Sequence, residues 1–269
     1  MTQDKRKANA IARLVQSRRA MLMLVAVIAF IWLLFEVKKD DIMRLDAAAY
    51  SLVVMHMRTA WLTPIMQSIS DLAYPVVLVV MLLVIEAFAP GRRPGLCAAV
   101  NLVLATLLNL LLKTLVQRPR PEGYRLVAES GFSFPSGHSM VAMAFYGLLI
   151  WMVWRYEKDA FVRRLGIIGF GLVIVLVGLS RIYLGVHYAS DVLAGFCASI
   201  AWLGVYTKLL APIFLTPRDT SQDAPGEKDD SAGRKASRQL QACRRRPSGA
   251  PALYASCQSC ARSGMIFAL

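Results

Sequence analysis

The chain has 269 residues, of which 57% are hydrophobic, and its mean hydropathy is +0.49. This apolar content exceeds the roughly 45 to 50% of soluble domains, which excludes an ordinary water-soluble fold. The net charge of +14 does not indicate nucleic-acid binding, because the basic residues are scattered over tails and loops without one compact basic face. We therefore expect a membrane protein with no nucleic-acid partner.

Six apolar segments are long enough to cross a hydrocarbon core of about 30 Å. In chain order they cover residues 20–37, 72–89, 96–112, 139–154, 165–179 and 192–210. Between the first two, Ile42, Leu45, Ala49 and Leu52 recur at helical spacing. The sequence predicts an all-α fold, an integral membrane bundle of six transmembrane helices with an interfacial helix between helices 1 and 2.

The distribution of lysine and arginine predicts the orientation of the chain. These residues concentrate in the tail 1–19 and in the loops after the second and fourth helices, which places those parts in the cytoplasm. The membrane domain then covers residues 20–215, and residues 216–269 form a polar tail that we expect to be disordered and cytoplasmic. Both termini are predicted inside, in a plasma (inner) membrane, and the polar motifs described below face the other side.

The first polar motif places two cations beside the third predicted helix. Lys113 lies at its outer end, and Arg120 lies in the loop just beyond. A phosphoryl group in transfer carries negative charge on its equatorial oxygens, and fixed cations stabilise that charge. Arg120 can bind two oxygens at once, while Lys113 acts as a point charge. Two such cations alone are more typical of interfacial anchors, so a role in phosphate binding depends on which other residues lie near them.

The second motif is Pro135-Ser136-Gly137-His138, directly before the fourth predicted helix. Ser136 is a candidate N-cap, and the free N–H groups behind it can bind phosphate. Gly137 lets an oxyanion approach the backbone, and His138 is placed to give a proton to a leaving oxygen. The alternative is a capped helix with an interfacial histidine.

The third motif runs from Ser180-Arg181 to His187 and Asp191. His187 and Asp191 are four residues apart, so on a helix they would share one face and the carboxylate would orient the imidazole. An imidazole held in this way can attack phosphorus and form a phosphohistidine. A single His and Asp pair at this spacing is usually structural, but two of the three histidines in the chain lie in these motifs.

Together the motifs resemble those of a known family. Residues 113–121 fit K-x6-RP, residues 135–138 are PSGH, and residues 180–191 fit SR-x5-H-x3-D. This ordered trio resembles the type 2 phosphatidic acid phosphatase superfamily, which also includes soluble acid phosphatases and vanadium haloperoxidases. The resemblance covers about residues 20–210. It implies a six-helix membrane fold with an outward-facing site open to lipid, and phosphatase chemistry without a metal or other cofactor.

The resemblance also implies a role for each motif residue. His187 is the expected nucleophile, Asp191 its partner, and His138 the acid that protonates the leaving group. The residues expected to hold the phosphate are Lys113, Arg120, Ser136, Gly137 and Arg181.

We therefore expect an integral-membrane phosphatase that hydrolyses a lipid phosphomonoester or pyrophosphate through a phosphohistidine. Similar proteins use undecaprenyl pyrophosphate, phosphatidic acid or phosphatidylglycerol phosphate, and of these we favour the first. A lipid phosphotransferase with the same intermediate and a non-enzymatic lipid transporter are the alternatives. The expected partners are the lipid phosphate substrate and membrane lipid, and the oligomeric state is open.

Overall fold

The computed structural model describes residues 18–39, 44–88 and 93–215, and every regular element in them is helical. The predicted C-terminal tail, and the predicted N-terminal tail apart from Arg18 and Arg19, lie outside these ranges. The elements in chain order are α1 (Arg18–Lys38), α2 (Arg44–Ala49), a π-helix (Tyr50–His56), α3 (Leu62–Asp71), α4 (Pro75–Phe88), α5 (Pro94–Val116), α6 (Gly137–Tyr156), α7 (Ala160–Tyr183), α8 (Ala189–Leu209) and α9 (Ala211–Leu215). The prediction of an all-α fold is confirmed.

Five of these helices, α1, α5, α6, α7 and α8, are each long and apolar enough to cross a bilayer. The second predicted crossing, residues 72–89, contains only α4, which qualifies as a span only together with α3 before it, and the two helices are bent by 55° at the break between them. The 14 residues of α4 extend about 21 Å, which is short of the hydrocarbon thickness. The predicted six-helix bundle is therefore confirmed as five single helices and one bent pair.

The segment predicted to lie at the interface forms α2 and the π-helix. These elements pack against the ends of α7 and α8, and Asp46 of α2 is buried. A buried carboxylate needs charged or hydrogen-bonding partners. Those partners belong to the site described below, so α2 is attached to the bundle through its one acidic residue.

Close packing brings the starts of α6 and α8 together. A Cβ atom at Gly195 of α8 would lie 2.9 Å from the carbonyl oxygen of Ser136 and 3.2 Å from the amide nitrogen of Met140. Small residues of this kind let membrane helices approach each other at backbone distance. In addition, the Ser136 N–H donates to the carbonyl oxygen of Asp191 over 3.0 Å. The second and third motifs are thus joined through their backbones.

Buried hydrogen bonds join three of the membrane helices. Asn101 of α5 donates from Nδ2 to the carbonyl oxygen of Ala144 in α6 over 2.8 Å, and its Oδ1 accepts from Trp202 Nε1 of α8 over 2.9 Å. Interhelical polar contacts of this kind stabilise helix association in a membrane.

The up-and-down course of the chain places all three motifs at one end of the bundle. Lys113 lies in the last turn of α5 and Arg181 in the last turn of α7, while α6 begins at Gly137. At the opposite end, the guanidinium of Arg19 lies 5.2 Å from the ring centre of Trp154. The fold therefore creates one polar end where the predicted site residues can meet.

Candidate active site

His187 lies in the turn between α7 and α8, rather than on α8 as the sequence suggested. Gly185 has a φ of 73°, and a Cβ atom there would meet the carbonyl oxygen of Tyr124 at 2.6 Å, so the turn requires glycine. Tyr188 is extended and α8 begins at Ala189. His187 and Asp191 therefore do not share a helix face, as the spacing suggested, but Nδ1 of His187 still lies 3.5 Å from Oδ2 of Asp191.

The neighbours of the His187 ring determine which nitrogen carries the proton. Arg120 places Nη1 3.2 Å from Nε2 of His187, and a guanidinium can only donate. Nε2 is therefore the acceptor and Nδ1 carries the hydrogen. On that side, Ser133 Oγ lies 3.3 Å from Nδ1 and donates its own hydrogen to Oδ2 of Asp191. A hydroxyl thus relays the contact between imidazole and carboxylate, leaving the Nε2 lone pair on the opposite side of the ring.

The Asp191 carboxylate is fully buried and accepts several hydrogen bonds. Its Oδ1 accepts from Nη1 of Arg118 over 2.7 Å. Its Oδ2 accepts from the backbone N–H of Tyr188 over 2.9 Å, in addition to the Ser133 hydroxyl. These bonds favour the charged form and fix the orientation of the group.

Arg118 also connects this site to α2. Its Nη2 lies 3.1 Å from Oδ2 of Asp46, and the Asp46 carboxylate accepts from the backbone N–H of Ser190 over 2.8 Å and from its hydroxyl over 2.7 Å. One guanidinium therefore lies between two buried carboxylates, so each of these three charged groups has a partner of opposite charge. Through it, α2 is joined to the start of α8.

Two buried arginines belong to this polar end, and one of them, Arg120, contacts Nε2 of His187. Arg120 is held by backbone carbonyl groups, donating from Nε to Gly131 over 3.0 Å and from Nη1 to Val186 over 3.1 Å. Arg181 donates from Nη1 to the hydroxyl of Ser70 over 2.7 Å. The Glu129 carboxylate contacts Nη2 of both arginines.

The second motif forms the start of α6, as the sequence predicted. Ser136 is the N-cap, and its hydroxyl oxygen accepts from the backbone N–H of Ser139 over 3.5 Å. The N–H groups of Gly137 and His138 have no earlier carbonyl within the helix, as in any first turn. A Cβ atom at Gly137 would lie 3.1 Å from Oδ1 of Asn109 and 3.9 Å from Nζ of Lys113, so this glycine also lets α5 pack closely.

Lys113 and His138 complete the arrangement. Nζ of Lys113 donates to the carbonyl oxygen of Phe132 over 3.0 Å. The half-buried His138 ring interacts electrostatically with Arg181, His187 and Lys113. The structure thus brings both motif histidines, three cations and the start of α6 to one polar end.

Burial determines the protonation of His187. It lowers the pKa of this imidazole to about 4, against the opposing charge of Asp191. The ring is therefore neutral at physiological pH, and Nε2 keeps a lone pair, which accepts from Arg120 in this structure.

Comparison with known proteins agrees with this arrangement. A sequence model of the PAP2 superfamily matches residues 94–213. Phosphatidylglycerophosphatase B of Bacillus subtilis (strain 168) is 36% identical over 155 residues, which are 55% of this chain and 75% of that protein. The chain belongs to the PAP2 superfamily.

The PAP2 match extends from the start of α5 into α9 and so contains all three motifs. The crystal structure of a transmembrane PAP2 type phosphatidylglycerolphosphate phosphatase from Bacillus subtilis aligns with a TM-score of 0.64 and 30% identity, covering 69% of this chain and 94% of that one. An undecaprenyl-diphosphatase of Sulfolobus acidocaldarius is 29% identical over 134 residues, which are 47% of this chain and 61% of that protein. This PAP2 protein is therefore a multi-pass membrane protein whose homologues are lipid phosphatases.

Several residues of this PAP2 site were not selected from the sequence. They are Asp46, Arg118, Glu129, Ser133 and Ser190, all acidic, basic or hydroxyl-bearing residues in the α2 segment, the loop before α6 or the start of α8. Arg118 had a signal, because it stands two residues before Arg120 inside the first motif. Glu129 and Ser133 had none, because they lie in a loop without a regular period.

Proposed function

We propose that the protein is an integral-membrane lipid phosphatase that transfers a phosphoryl group first to Nε2 of His187 and then to water. The observation that carries this proposal is the position of Nε2, a neutral lone pair directed at the buried Arg120 and backed through Nδ1 by Ser133 and Asp191. A nucleophile, cations for the phosphoryl oxygens and a second imidazole are the parts that such a reaction needs.

In the first step, the Nε2 lone pair attacks phosphorus and the bond from phosphorus to the lipid oxygen breaks. The negative charge of the bound phosphate favours the protonated form of His138, which gives its proton to that oxygen, so the lipid leaves as an alcohol, or as a phosphate from a pyrophosphate. The phosphorylated imidazole is positively charged, and Asp191 stabilises it through the Ser133 hydroxyl.

In the second step, neutral His138 takes a proton from water while the water oxygen attacks phosphorus. The bond between Nε2 and phosphorus breaks, its electron pair returns to the ring, and inorganic phosphate leaves. His138 is protonated again, so the cycle closes without any net change in the enzyme.

The phosphoryl oxygens are held by the side chains of Lys113, Arg120 and Arg181, together with the start of α6 at Ser136 and Gly137. These groups place positive charge where the transition state is negative. Asp191 stabilises the charged His187 ring, His138 moves protons to the leaving oxygen and from water, and the reaction proceeds without a metal ion.

The lipid phosphate we place first is phosphatidylglycerol phosphate. The relative with 36% identity and the solved structure with 30% identity both carry that activity in their names. Undecaprenyl pyrophosphate, favoured from the sequence, stays a prediction. The site faces the extracytoplasmic side of the plasma membrane, and a reporter fused after Arg125 that proved cytoplasmic would contradict this orientation.

The test is phosphate release by the purified protein in detergent, with EDTA present, from phosphatidylglycerol phosphate, phosphatidic acid and undecaprenyl pyrophosphate. We expect His187→Ala to lower turnover by at least about 10³-fold, as in other enzymes that lose their nucleophile. His56→Ala is the matched control, because this exposed ring contacts only the Ser51 carbonyl oxygen in the described part of the chain. It should change turnover by less than about twofold.

The other outcomes are equally informative. Activity that disappears in EDTA and returns with a divalent cation would contradict the metal-free mechanism. Phosphate that appears on an added lipid alcohol but not in solution would identify a phosphotransferase. A wild-type protein that releases no phosphate from any of these lipids would favour the transporter.

A further inference from the structure

Glu129 lies in the loop between α5 and α6, and its carboxylate contacts the two arginines that we place on the phosphate. Oε1 accepts a hydrogen bond from Nη2 of Arg181, and Oε2 lies 3.6 Å from Nη2 of Arg120. The same carboxylate interacts electrostatically with Lys113 and His138. One acidic side chain therefore faces four of the groups assigned to the phosphoryl oxygens and the leaving group.

Glu129 is an anion in this position. Burial acts to raise its pKa, but the charge and hydrogen bond of Arg181, with smaller effects of His138 and Arg120, hold the pKa below its ordinary value. The side chains of Arg120 and Arg181 are only 4% and 3% exposed, and buried cations without a partner are costly. The Glu129 carboxylate contacts both guanidinium groups and offsets part of their charge.

The pairing with Arg181 uses only part of the guanidinium. Nη1 binds Ser70 and Nη2 binds Glu129, whereas Nε is buried and has no hydrogen-bond partner in the part of the chain described. A phosphate group presents enough oxygens to bind Nε and Nη2 together, which is the stronger bidentate arrangement. Phosphate and Glu129 would therefore compete for the same edge of Arg181.

Glu129 differs from the other carboxylates of the site in its exposure to solvent. Its side chain is 26% exposed, whereas those of Asp46 and Asp191 are fully buried. Asp191 is held from both oxygens by Arg118, Ser133 and a backbone amide. Displacement of a carboxylate from this end of the bundle would thus begin at Glu129.

We propose that the Glu129 carboxylate occupies the phosphoryl subsite as a resident anion, which the phosphate of the substrate or product must displace from Arg120 and Arg181. Glu129 is then the residue that limits the affinity of the site for phosphate. The inference rests on the proposed function, since it needs these arginines to bind phosphate.

The experiment measures inhibition of lipid phosphate hydrolysis by inorganic phosphate, using the purified full chain in detergent. Glu129→Gln removes the charge and keeps the shape of the side chain, so we expect the inhibition constant of phosphate to fall about tenfold. This value lies between the small effect of breaking an exposed salt bridge and the large effect of breaking a buried one. Glu122→Gln removes the same charge from an exposed position in the same loop and should change the constant by less than about twofold.

A second variant covers the case in which Glu129→Gln does not fold. Glu129→Asp keeps the charge but is shorter by one methylene group, so it contacts both arginines less well and should lower the constant by a few-fold. For every variant, the rise in melting temperature caused by phosphate should follow the same order.

The results separate this inference from the proposed function. A constant that is unchanged or higher in Glu129→Gln would overturn the inference, as would a lower kcat with unchanged KM and unchanged phosphate inhibition, which would indicate a role in proton transfer. If Arg181→Lys also left the constant unchanged, phosphate would not bind at these arginines and the proposed function would fail as well.

Discussion

Replacement of Ser133 by alanine tests the relay between His187 and Asp191. Its hydroxyl lies 3.3 Å from Nδ1 of His187 and donates to Oδ2 of Asp191, so the variant removes the group that joins them. The direct distance between Nδ1 and Oδ2 is 3.5 Å, too long for a good hydrogen bond. We expect kcat to fall because the carboxylate stabilises the charged imidazole through this hydroxyl.

The size of the effect follows from the remaining contacts. A hydrogen bond to a charged group contributes about 1.5 to 3 kcal/mol, equivalent to about 10- to 150-fold in rate. Asp191 keeps its charge and its bonds to Arg118 and the Tyr188 amide, so we expect the lower part of this range, about 10- to 30-fold. Asp191→Asn removes the charge and should cost far more, about 10⁴-fold by analogy with serine-protease triads.

The assay is steady-state phosphate release with kcat and KM determined separately. Loss of an interaction made in the transition state lowers kcat and leaves KM nearly constant. Ser199→Ala is the matched control, since this buried hydroxyl donates to the Met140 carbonyl oxygen within the bundle, away from the imidazole. A kcat for Ser133→Ala within twofold of the control, or a change in KM alone, would refute the relay.

Three further predictions concern stability in detergent. The pKa of His187 is about 4 in the folded protein, against an ordinary 6.5. The free energy of unfolding of the wild type should therefore fall by about 3 kcal/mol relative to His187→Gln as pH falls from 6.5 to 4, with no change above pH 6.5. An equal pH dependence of the two melting curves would contradict this. Asn101→Leu leaves the Trp202 indole N–H unpaired and should lower unfolding free energy by about 1 to 2 kcal/mol with kcat unaltered, whereas unchanged denaturation would show that this bond does not matter. Gly195→Ala forces a backbone shift at the start of α6, so it should lower the free energy of unfolding by about 1 to 3 kcal/mol and should also lower kcat. Gly169 has open space around it, so Gly169→Ala should lower neither.

Much of the fold followed from the sequence, since apolar length determines which segments can cross a bilayer. Successive membrane helices run in alternating directions. Lys113 lies at the end of α5, His138 at the start of α6 and Arg181 at the end of α7, so all three must lie at the same end of the bundle. The pairing of α3 with α4 was missed, because the predicted crossing of residues 72–89 contains only α4. Hydropathy does not reveal a bend, although Pro75 at the start of α4 indicates a helix boundary there.

The less predictable part of the site lies in the loop between α5 and α6. Its course depends on tertiary contacts, such as the bond from the Ser133 amide to the Arg118 carbonyl oxygen, that no local pattern encodes. The same holds for Asp46, whose partners Arg118 and Ser190 are more than 70 residues away. The motifs identified the groups that we propose to react, but the residues that orient and neutralise them required the structure.

In the proposed mechanism phosphorus is bound covalently to His187 during turnover, and trapping this intermediate tests the mechanism directly. Wild-type protein is mixed with a lipid phosphate labelled with ³²P at the terminal phosphorus, denatured in alkali within milliseconds, and digested for mass spectrometry. We expect label on the peptide that contains His187, stable in alkali and lost in acid, and no label in His187→Ala. Label on another residue, or turnover of the wild type without any labelled peptide at the shortest times, would contradict it.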